Sequence, residues 1–268
     1  MDHLEAGRCW QANAEAWTAL SRAGYDRCRD VFNTPAFLRM LPEVRGLSGL
    51  DLGCGEGHNT RLLARRGARM TALDLAPAFV RHARAAETGE PLGIRYLRAS
   101  AQALPFRDAT YDFATAFMVL QDVPDQERAA REAFRVLRPG GFFQFSITHP
   151  CFQTSKWGWV LDEQGRRTAL TVGDYFGVEG RCRVDEWIFG AAPAELKARY
   201  PKFKTPYFVR TLSSWLNLLL RAGFRLEEVA EPTPDDEALR KNPSEYDARL
   251  IAYFLTTRWR RPERGAER

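Results

Sequence analysis

Three alternating glycines stand in the stretch Leu50-Asp51-Leu52-Gly53-Cys54-Gly55-Glu56-Gly57-His58-Asn59-Thr60. An apolar run precedes them and a helical pattern follows at once, which predicts a strand, a tight turn and the N-terminus of a helix. Glycine suits such a turn because it adopts a positive φ at little cost and lets a ligand approach the backbone without a Cβ. Backbone amides at the helix start can then face a nucleotide-like ligand. The stretch therefore predicts a nucleotide-binding turn at the end of a strand.

A second apolar run, residues 68–73, ends in Asp74, nineteen residues after Gly55. An acid at that distance lies at the tip of the next strand, where it can accept both hydroxyls of an adenosine ribose. A dinucleotide-binding turn requires Gly or Ala where this sequence has His58, because helix and strand pack closely there. Asp51 would repel a pyrophosphate and would suit a ligand with an ammonium and a sulfonium group. These residues favour S-adenosylmethionine, with another nucleotide as the alternative.

Two segments resemble signatures of a known family. The acid and glycines of residues 51–57 resemble motif I of the class I S-adenosylmethionine-dependent methyltransferases, and Asp74 resembles their motif II acid. The segment at residues 137–141 resembles a second signature of these enzymes. It reads Leu137-Arg138-Pro139-Gly140-Gly141 and precedes an apolar run. The resemblance covers about residues 47–149. It implies an α/β fold with a Rossmann-like seven-stranded sheet, mostly parallel with an antiparallel last strand, and helices on both faces.

The resemblance also implies the cofactor and its contacts. The expected cofactor is S-adenosylmethionine, with S-adenosylhomocysteine as the product and no metal. Ser100 departs from the family pattern, in which an acid at this position bonds the adenine amino group. His58 is expected at the methionine end of the cofactor. The predicted cofactor-binding residues are Asp51, Gly53, Cys54, Gly55, His58, Asn59, Asp74, Leu75, Ser100, Ala101 and Phe117.

A catalytic base is predicted at the end of the fifth strand. His149 stands just beyond that strand, where open α/β sheets bind ligands, and an unperturbed imidazole pKa of about 6.5 suits neutral pH. His149 is therefore the candidate general base, and a structural hydrogen-bonding role is the alternative. Asp122 is interpreted as the cap of the helix that starts near Pro124. The predicted substrate-binding residues are Tyr25, Met118, His149, Trp157, Tyr175 and Trp187.

Four segments are predicted from the pattern of apolar and polar residues. Residues 1–46 form a helical arm or lid, residues 47–150 the S-adenosylmethionine-binding core, residues 151–209 an aromatic-rich insertion, and residues 210–268 complete the core sheet. The resemblance implies that the arm folds over the cofactor and lines the substrate pocket, and helices that only cover the sheet edge are the alternative. The resemblance implies that the insertion caps the substrate, and a dimer surface or an auxiliary core is the alternative. Residues 231–247 are rich in Pro, Asp and Glu, which predicts a polar loop.

Composition indicates a globular protein without a membrane span. The chain has 268 residues, of which 45% are hydrophobic, and no window approaches the ~18 uninterrupted apolar residues of a membrane helix. The N-terminal residues lack the basic start and apolar core of a signal peptide, so a cytoplasmic location is expected. The five cysteines are scattered, which indicates reduced thiols rather than a disulfide framework or a zinc site.

The charge pattern argues against a nucleic-acid partner. The net charge is +5, but the 39 basic residues are interleaved with 34 acidic ones. The one local excess of basic residues, 258–264, is short and is interpreted as a solvated end of the chain.

Together these observations predict an enzyme with a small-molecule substrate. It would move the sulfonium methyl group of S-adenosylmethionine to an aromatic or apolar metabolite by in-line displacement. The alternatives are a methyltransferase that acts on RNA or protein, and a non-catalytic S-adenosylmethionine-binding partner subunit. A monomer and a homodimer are both compatible with the sequence.

Overall fold

The computed structural model describes residues 1–177 and 179–263. The strands within these residues are β1 (Ser48–Leu52), β2 (Arg69–Asp74), β3 (Arg95–Arg98), β4 (Tyr111–Phe117), β5 (Leu137–Thr148), β6 (Lys156–Leu161), β7 (Arg167–Gly173), β8 (Cys182–Trp187), β9 (Phe203–Phe208), β10 (Arg225–Ala230) and β11 (Phe254–Arg260). The α-helices are α1 (His3–Arg22), α2 (Thr34–Met40), α3 (His58–Arg65), α4 (Pro77–Gly89), α5 (Gln126–Val136), α6 (Ala194–Arg199), α7 (Leu212–Arg221) and α8 (Asp236–Lys241).

Seven of these strands form one sheet, in the order β10-β11-β5-β4-β1-β2-β3. β1 pairs in parallel with β2 and β4, β2 with β3, and β4 with β5, whereas β11 is antiparallel to both β5 and β10. The predicted fold class is therefore confirmed. The apolar run at residues 250–256 predicts a last strand that begins at Leu250. The strand begins at Phe254 instead, because a 3-10 helix at Pro243–Arg249 precedes it.

Helices cover both faces of the sheet. On one face β1 and β5 pack against α5 and α7, where Trp215 is almost fully buried. On the other face Phe37 of α2 and Leu63 of α3 join the buried side chains of β2 and β4. Gly49 of β1 lies where a Cβ would stand 2.3 Å from the Phe113 ring. A larger residue would displace that ring, so glycine preserves the packing beside the strand that leads into the glycine-rich turn.

The N-terminal arm and the insertion pack against each other through aromatic rings. α1 begins after Asp2, whose carboxylate accepts hydrogen bonds from two backbone N–H groups of the first turn. Trp17 of α1 lies 4.9 Å from Phe203 of β9 and 5.0 Å from Phe189, measured between ring centroids. The insertion itself consists of two separate hairpins, β6–β7 and β8–β9, with α6 inside the second. The second hairpin and α1 therefore form a common layer beside the sheet.

Residues 231–247 do not form the loop that their composition predicts. They contain α8 and the start of the 3-10 helix at Pro243–Arg249. Cys28 Sγ donates a hydrogen bond to Glu245 Oε2 (3.3 Å), and Arg167 forms an ion pair with Asp247. Both acids are buried. Contacts with the N-terminal arm and the first hairpin thus offset the entropy cost of ordering a segment with little apolar surface.

The basic residues near the C-terminus belong to the sheet, so their interpretation as a solvated end is wrong. Arg258 and Arg260 each pair with Glu227 on the neighbouring strand, and Arg261 donates to backbone carbonyls at the end of α5. Arg264 lies outside the described residues. Among the residues that the structure describes, no helix is long and apolar enough to cross a membrane.

Candidate active site

A cavity of about 760 Å³ lies at the carboxyl ends of the parallel strands. Its walls come from the loops that follow β1 to β5, from the N-terminal arm, from the hairpin β8–β9 and from the 3-10 helix at 243–249. Ligands bind at this edge of open α/β sheets, in the crevice between the strand ends. Ten of the eleven predicted cofactor-binding residues line the cavity, namely Gly53, Cys54, Gly55, His58, Asn59, Asp74, Leu75, Ser100, Ala101 and Phe117.

The glycine-rich turn has a backbone conformation that requires glycine. Gly53, Gly55 and Gly57 have φ angles of 68°, 54° and 91°, a region in which other residues are strained. A Cβ at Gly53 would also lie 2.5 Å from the side chain of Val119. α3 begins directly afterwards at His58, so the backbone N–H groups of its first turn adjoin the cavity. The turn can therefore receive a hydrogen-bond-accepting part of a ligand.

Asp74 closes the turn from the neighbouring strand. Its Oδ2 accepts a hydrogen bond from the Gly55 N–H (2.9 Å) and its Oδ1 accepts one from the Ala76 N–H (2.8 Å). Burial raises the pKa of Asp74 to about 6, although the hydrogen bonds from the backbone oppose this shift. A carboxylate offers about four lone-pair sites, so two hydrogen bonds leave capacity for two ligand hydroxyls. This geometry suits a ribose.

Asp51 is the predicted cofactor residue that does not line the cavity. Its carboxylate accepts hydrogen bonds from the hydroxyls of Thr60 and Thr115, the latter at 2.8 Å. Burial raises the pKa of Asp51 to about 6, and the two hydroxyls oppose the shift. The structure therefore corrects the predicted placement: Asp51 joins β1, α3 and β4 behind the turn, because two hydroxyls from neighbouring elements occupy its carboxylate.

An ion-pair network missed by the sequence reasoning ties the N-terminal arm to the turn. Arg29 donates from Nη1 to Glu56 Oε1 (3.3 Å) and from Nε to Asp30 Oδ1 (2.7 Å). Glu56 lies inside the glycine-rich turn and is buried. A charged residue within this turn is the feature of the sequence that could have predicted an ion pair there. Burial, together with the charge of Arg29, lowers the pKa of His58 to about 4. His58 is therefore neutral at pH 7.

His149 is not among the residues that line the cavity. Its Nδ1 accepts a hydrogen bond from the Cys151 N–H (3.3 Å), and its Nε2 lies 2.8 Å from Glu231 Oε1. Burial lowers the pKa of His149, and the contact with Glu231 opposes the shift. A neutral imidazole that accepts at Nδ1 carries its proton on Nε2 and donates it to Glu231. No lone pair is left for a substrate proton, which favours the structural alternative.

The structure divides the predicted substrate-binding residues into two groups. Tyr25, Met118 and Trp187 line the cavity. Trp157 does not, because β6 leaves it 56% exposed. Tyr175 is also absent from the wall, and its hydroxyl accepts a hydrogen bond from the first backbone N–H of α7. Trp187 belongs to the hairpin β8–β9, which lines the cavity with residues of both its strands, whereas the hairpin β6–β7 that carries Trp157 contributes Arg167 to the wall.

Two further polar residues of the cavity wall follow β4. Gln121 and Asp122 lie in a 3-10 turn, Leu120–Asp122, and both line the cavity. The interpretation of Asp122 as a helix cap is wrong, since the cap of α5 is Asp125, whose Oδ1 accepts from the Arg128 N–H (2.9 Å). Burial and the charge of Asp185 raise the pKa of Asp122 well above its usual range. Gln121 and Asp122 could have been predicted as cavity residues from the sequence, because they follow the end of β4 closely.

Comparisons with known proteins agree with this geometry. A family profile described as "Methyltransferase domain" matches residues 50–145. The crystal structure of an S-adenosylmethionine dependent methyltransferase from Mesorhizobium loti is 33% identical to this chain and superimposes with a TM-score of 0.70. The match covers 85% of this chain and 96% of that chain.

Two curated relatives match over shorter segments. Malonyl-[acyl-carrier protein] O-methyltransferase of Pectobacterium atrosepticum is 33% identical over 124 residues, which are 46% of this chain and 47% of that protein. Ubiquinone biosynthesis O-methyltransferase of Pseudomonas fluorescens is 29% identical over 150 residues, which are 54% of this chain and 63% of that protein. The chain thus spans less than two thirds of the length of either relative.

Proposed function

This chain belongs to the S-adenosylmethionine-dependent methyltransferases, and we propose that it transfers a methyl group from S-adenosylmethionine to a small molecule. The proposal rests on one observation: the Gly55 N–H of the glycine-rich turn donates a hydrogen bond to Asp74, and both residues line the cavity. The two curated relatives are named as O-methyltransferases, which supports methyl transfer as the reaction type.

The residues of the cavity fit this cofactor. Asp74 would hold the ribose hydroxyls, Leu75 and Ala101 would contact the adenosine, and the turn at Gly53 and Gly55 would allow close approach of the methionine part. When bound, S-adenosylmethionine supplies a methyl group on a positively charged sulfur, which a nucleophile displaces in line. The chain contributes by aligning the acceptor with that methyl group and by excluding water.

We assign the enclosure of the substrate to residues 1–46 and 151–209 acting together as a cap. Tyr25 of the arm and Trp187 of β8 line the same cavity, and the ring of Trp17 lies 5.4 Å from that of Trp187. A cavity walled in this way suits a metabolite better than an RNA strand or a folded protein. This supports a small-molecule acceptor over the macromolecular alternative.

The proposed activity can be tested with S-adenosylmethionine that carries a trideuterated methyl group. The purified chain is incubated separately with a metabolite extract, with tRNA and with cellular protein, and label is followed by mass spectrometry. We expect label in a small molecule. Label confined to tRNA or protein would replace the proposed substrate class, and binding of S-adenosylmethionine without turnover would favour the non-catalytic partner subunit.

A metal-free reaction is part of the same proposal. Of the residues that the structure describes, no three or more His, Cys, Asp or Glu side chains are grouped so that they could hold an ion. Turnover is expected to be unchanged in saturating EDTA, because methyl transfer from an activated sulfonium needs no Lewis acid. Loss of activity in EDTA that Mg²⁺ or Zn²⁺ restores would contradict this expectation.

Replacement of His149 by Gln distinguishes its two predicted roles. We expect a loss of about 1–3 kcal/mol in unfolding free energy, because the buried His149 side chain loses its hydrogen bonds with the Cys151 N–H and with the exposed Glu231. Turnover and cofactor affinity should stay within about threefold of wild type. The catalytic base predicted from the sequence requires instead a fall in turnover of ~10²–10⁴-fold with stability preserved. Thermal denaturation and steady-state kinetics on the same preparation decide between them.

A further inference from the structure

The cavity wall contains two neighbouring polar side chains that have no partner among the described residues. Gln121 is only 4% exposed, and its Oε1 makes no hydrogen bond to any described residue. Asp122 lies beside it in the cavity wall and is half-buried, and its carboxylate has no ion pair or hydrogen bond with the described part of the chain. Buried polar groups in proteins nearly always have partners. Gln121 Oε1 lacks the partner expected of a buried group, and the neighbouring Asp122 carboxylate lines the same cavity, which indicates that the missing partner is a ligand group.

The hairpin β8–β9 supplies the surroundings of this pair, and its own charges are already compensated. The Arg183 Nε lies 3.0 Å from both carboxylate oxygens of Asp185, and the Arg183 guanidinium lies 4.5 Å from the centre of the Tyr207 ring. The Tyr207 hydroxyl accepts a hydrogen bond from Thr148 Oγ1 (3.0 Å). Asp185 thus has a cation, whereas Asp122 has none. Among the described residues, the Asp122 carboxylate therefore still needs a hydrogen-bond donor, as Gln121 Oε1 does.

We propose that Asp122 binds the nucleophilic group of the methyl acceptor and takes its proton, and that this group is the N–H of an amine or the O–H of a phenol. The inference rests on the proposed function and specifies its substrate class. Both Asp122 and Gln121 Oε1 accept hydrogen bonds, so they match a donor. A methyl acceptor that carries a carboxylate would instead place a second negative charge beside the unpaired Asp122, and like charges at short range are costly. The acceptor therefore differs from the malonyl group in the name of one relative.

In the proposed reaction, one electron pair moves to sulfur and one proton moves to Asp122. A lone pair of the acceptor nitrogen or oxygen forms the new bond to the methyl carbon, while the carbon–sulfur bond breaks and leaves its electron pair on sulfur. The N–H or O–H proton passes to a carboxylate oxygen of Asp122, which returns it to water after the product leaves. The raised pKa of Asp122 makes its carboxylate a stronger base for this step.

The first test asks what Asp122 faces, and it uses binding rather than turnover. Affinities for S-adenosylmethionine and S-adenosylhomocysteine are measured by calorimetry for wild type, Asp122→Asn and the control Asp125→Asn, which preserves a helix cap outside the cavity wall. If Asp122 serves the acceptor, both affinities change less than threefold in both variants. A selective loss of tenfold or more for S-adenosylmethionine in Asp122→Asn would make this carboxylate a counter-ion of the sulfonium and overturn the proposal.

The second test identifies the substrate atom that receives the methyl group. Wild type and both variants receive trideuterated S-adenosylmethionine with 2-phenylethylamine, 4-methylphenol or phenylacetate, three ring compounds that offer an amine, a phenol and a carboxylate. We expect label on the amine or the phenol, a fall of at least ~10²-fold in Asp122→Asn, and rates within threefold of wild type in Asp125→Asn. A methyl ester of phenylacetate as the main product, or full turnover in Asp122→Asn, would overturn the inference. Wild type that binds neither cofactor form would refute the proposed function instead.

Discussion

Replacing Asp74 with Ala is expected to lower the affinity for S-adenosylmethionine at least tenfold while the fold is retained. The Asp74 carboxylate lines the cavity and keeps lone pairs for two ribose hydroxyls beside its hydrogen bonds from Gly55 and Ala76. A hydrogen bond to a charged group is worth about 1.5–3 kcal/mol. Even after water compensates part of this loss, two such bonds exceed the ~1.4 kcal/mol that corresponds to a factor of ten.

Calorimetry on three variants checks this expectation. Asp108→Ala is the matched control, because Asp108 is exposed and pairs with Arg135 away from the cavity. Its affinity for S-adenosylmethionine should equal that of wild type. Asp74→Asn should fall between wild type and Asp74→Ala, since an amide oxygen keeps part of the acceptor capacity. An unchanged dissociation constant in Asp74→Ala, or tighter binding of NAD than of S-adenosylmethionine by wild type, would contradict the cofactor assignment.

Replacing Arg29 with Met is expected to lower the unfolding free energy by about 3–5 kcal/mol, the usual result of removing one member of a buried ion pair. The side chains of Arg29 and Glu56 are 10% and 8% exposed. Without Arg29, the cation left for the buried Glu56 is the half-exposed Arg22, whose Nε lies 3.8 Å from Glu56 Oε2. Asp26, which lies 3.7 Å from Arg29 Nε, would lose its counter-charge too. Because this network joins the arm to the glycine-rich turn, cofactor affinity should fall with stability.

The Arg29→Met defect should also depend on pH. Burial raises the pKa of Asp26 to about 6, and Arg29 opposes that shift, so the pKa rises further without Arg29. Below pH 3.8, the pKa of this carboxyl in the unfolded chain, Asp26 is protonated in both the folded and the unfolded state and costs no stability. Its ionisation then costs stability as the pH rises through the folded value. The defect should therefore be small near pH 4 and grow towards pH 8.

Two further variants test whether the buried charge is the cause. Adding Glu56→Gln to Arg29→Met should restore part of the stability, because the orphaned carboxylate is removed. Arg65→Met is the matched surface control, since Arg65 and its partner Glu90 are 45% and 59% exposed. It should cost less than ~1 kcal/mol. Urea denaturation at several pH values provides the measurement, and equal losses in Arg29→Met and Arg65→Met would contradict a structural role for the network.

The sequence alone was sufficient for the fold and for much of the cofactor side of the cavity. β1, the glycine-rich turn and the start of α3 are contiguous, and Asp74 ends the next strand, so local patterns determine their relative positions. The positive φ angles at the three glycines follow from the turn itself. For the same reason the predicted residues near Asp74 and at the end of β4 lie in one wall.

The direction of individual polar side chains depended on residues far away in the chain. Thr115, which bonds Asp51, is 64 positions from it, and Glu231, which contacts His149, is 82 positions away. No local pattern contains these partners. Both side chains therefore have a sequence context typical of a ligand contact, whereas their contacts in the fold are with other residues of the protein.

What the sequence determined about this protein is its family, its sheet and the turn that meets Asp74, because these depend on short-range periodicity and spacing. Only the tertiary structure decided which aromatic and acidic residues face the cavity. Trp157 and Trp187 stand in similar aromatic segments, yet Trp17 of α1 packs on Trp187 and directs it to the wall, whereas Trp157 stays exposed. The orientation of each ring depends on packing between segments that are remote in sequence, and this packing cannot be inferred from composition.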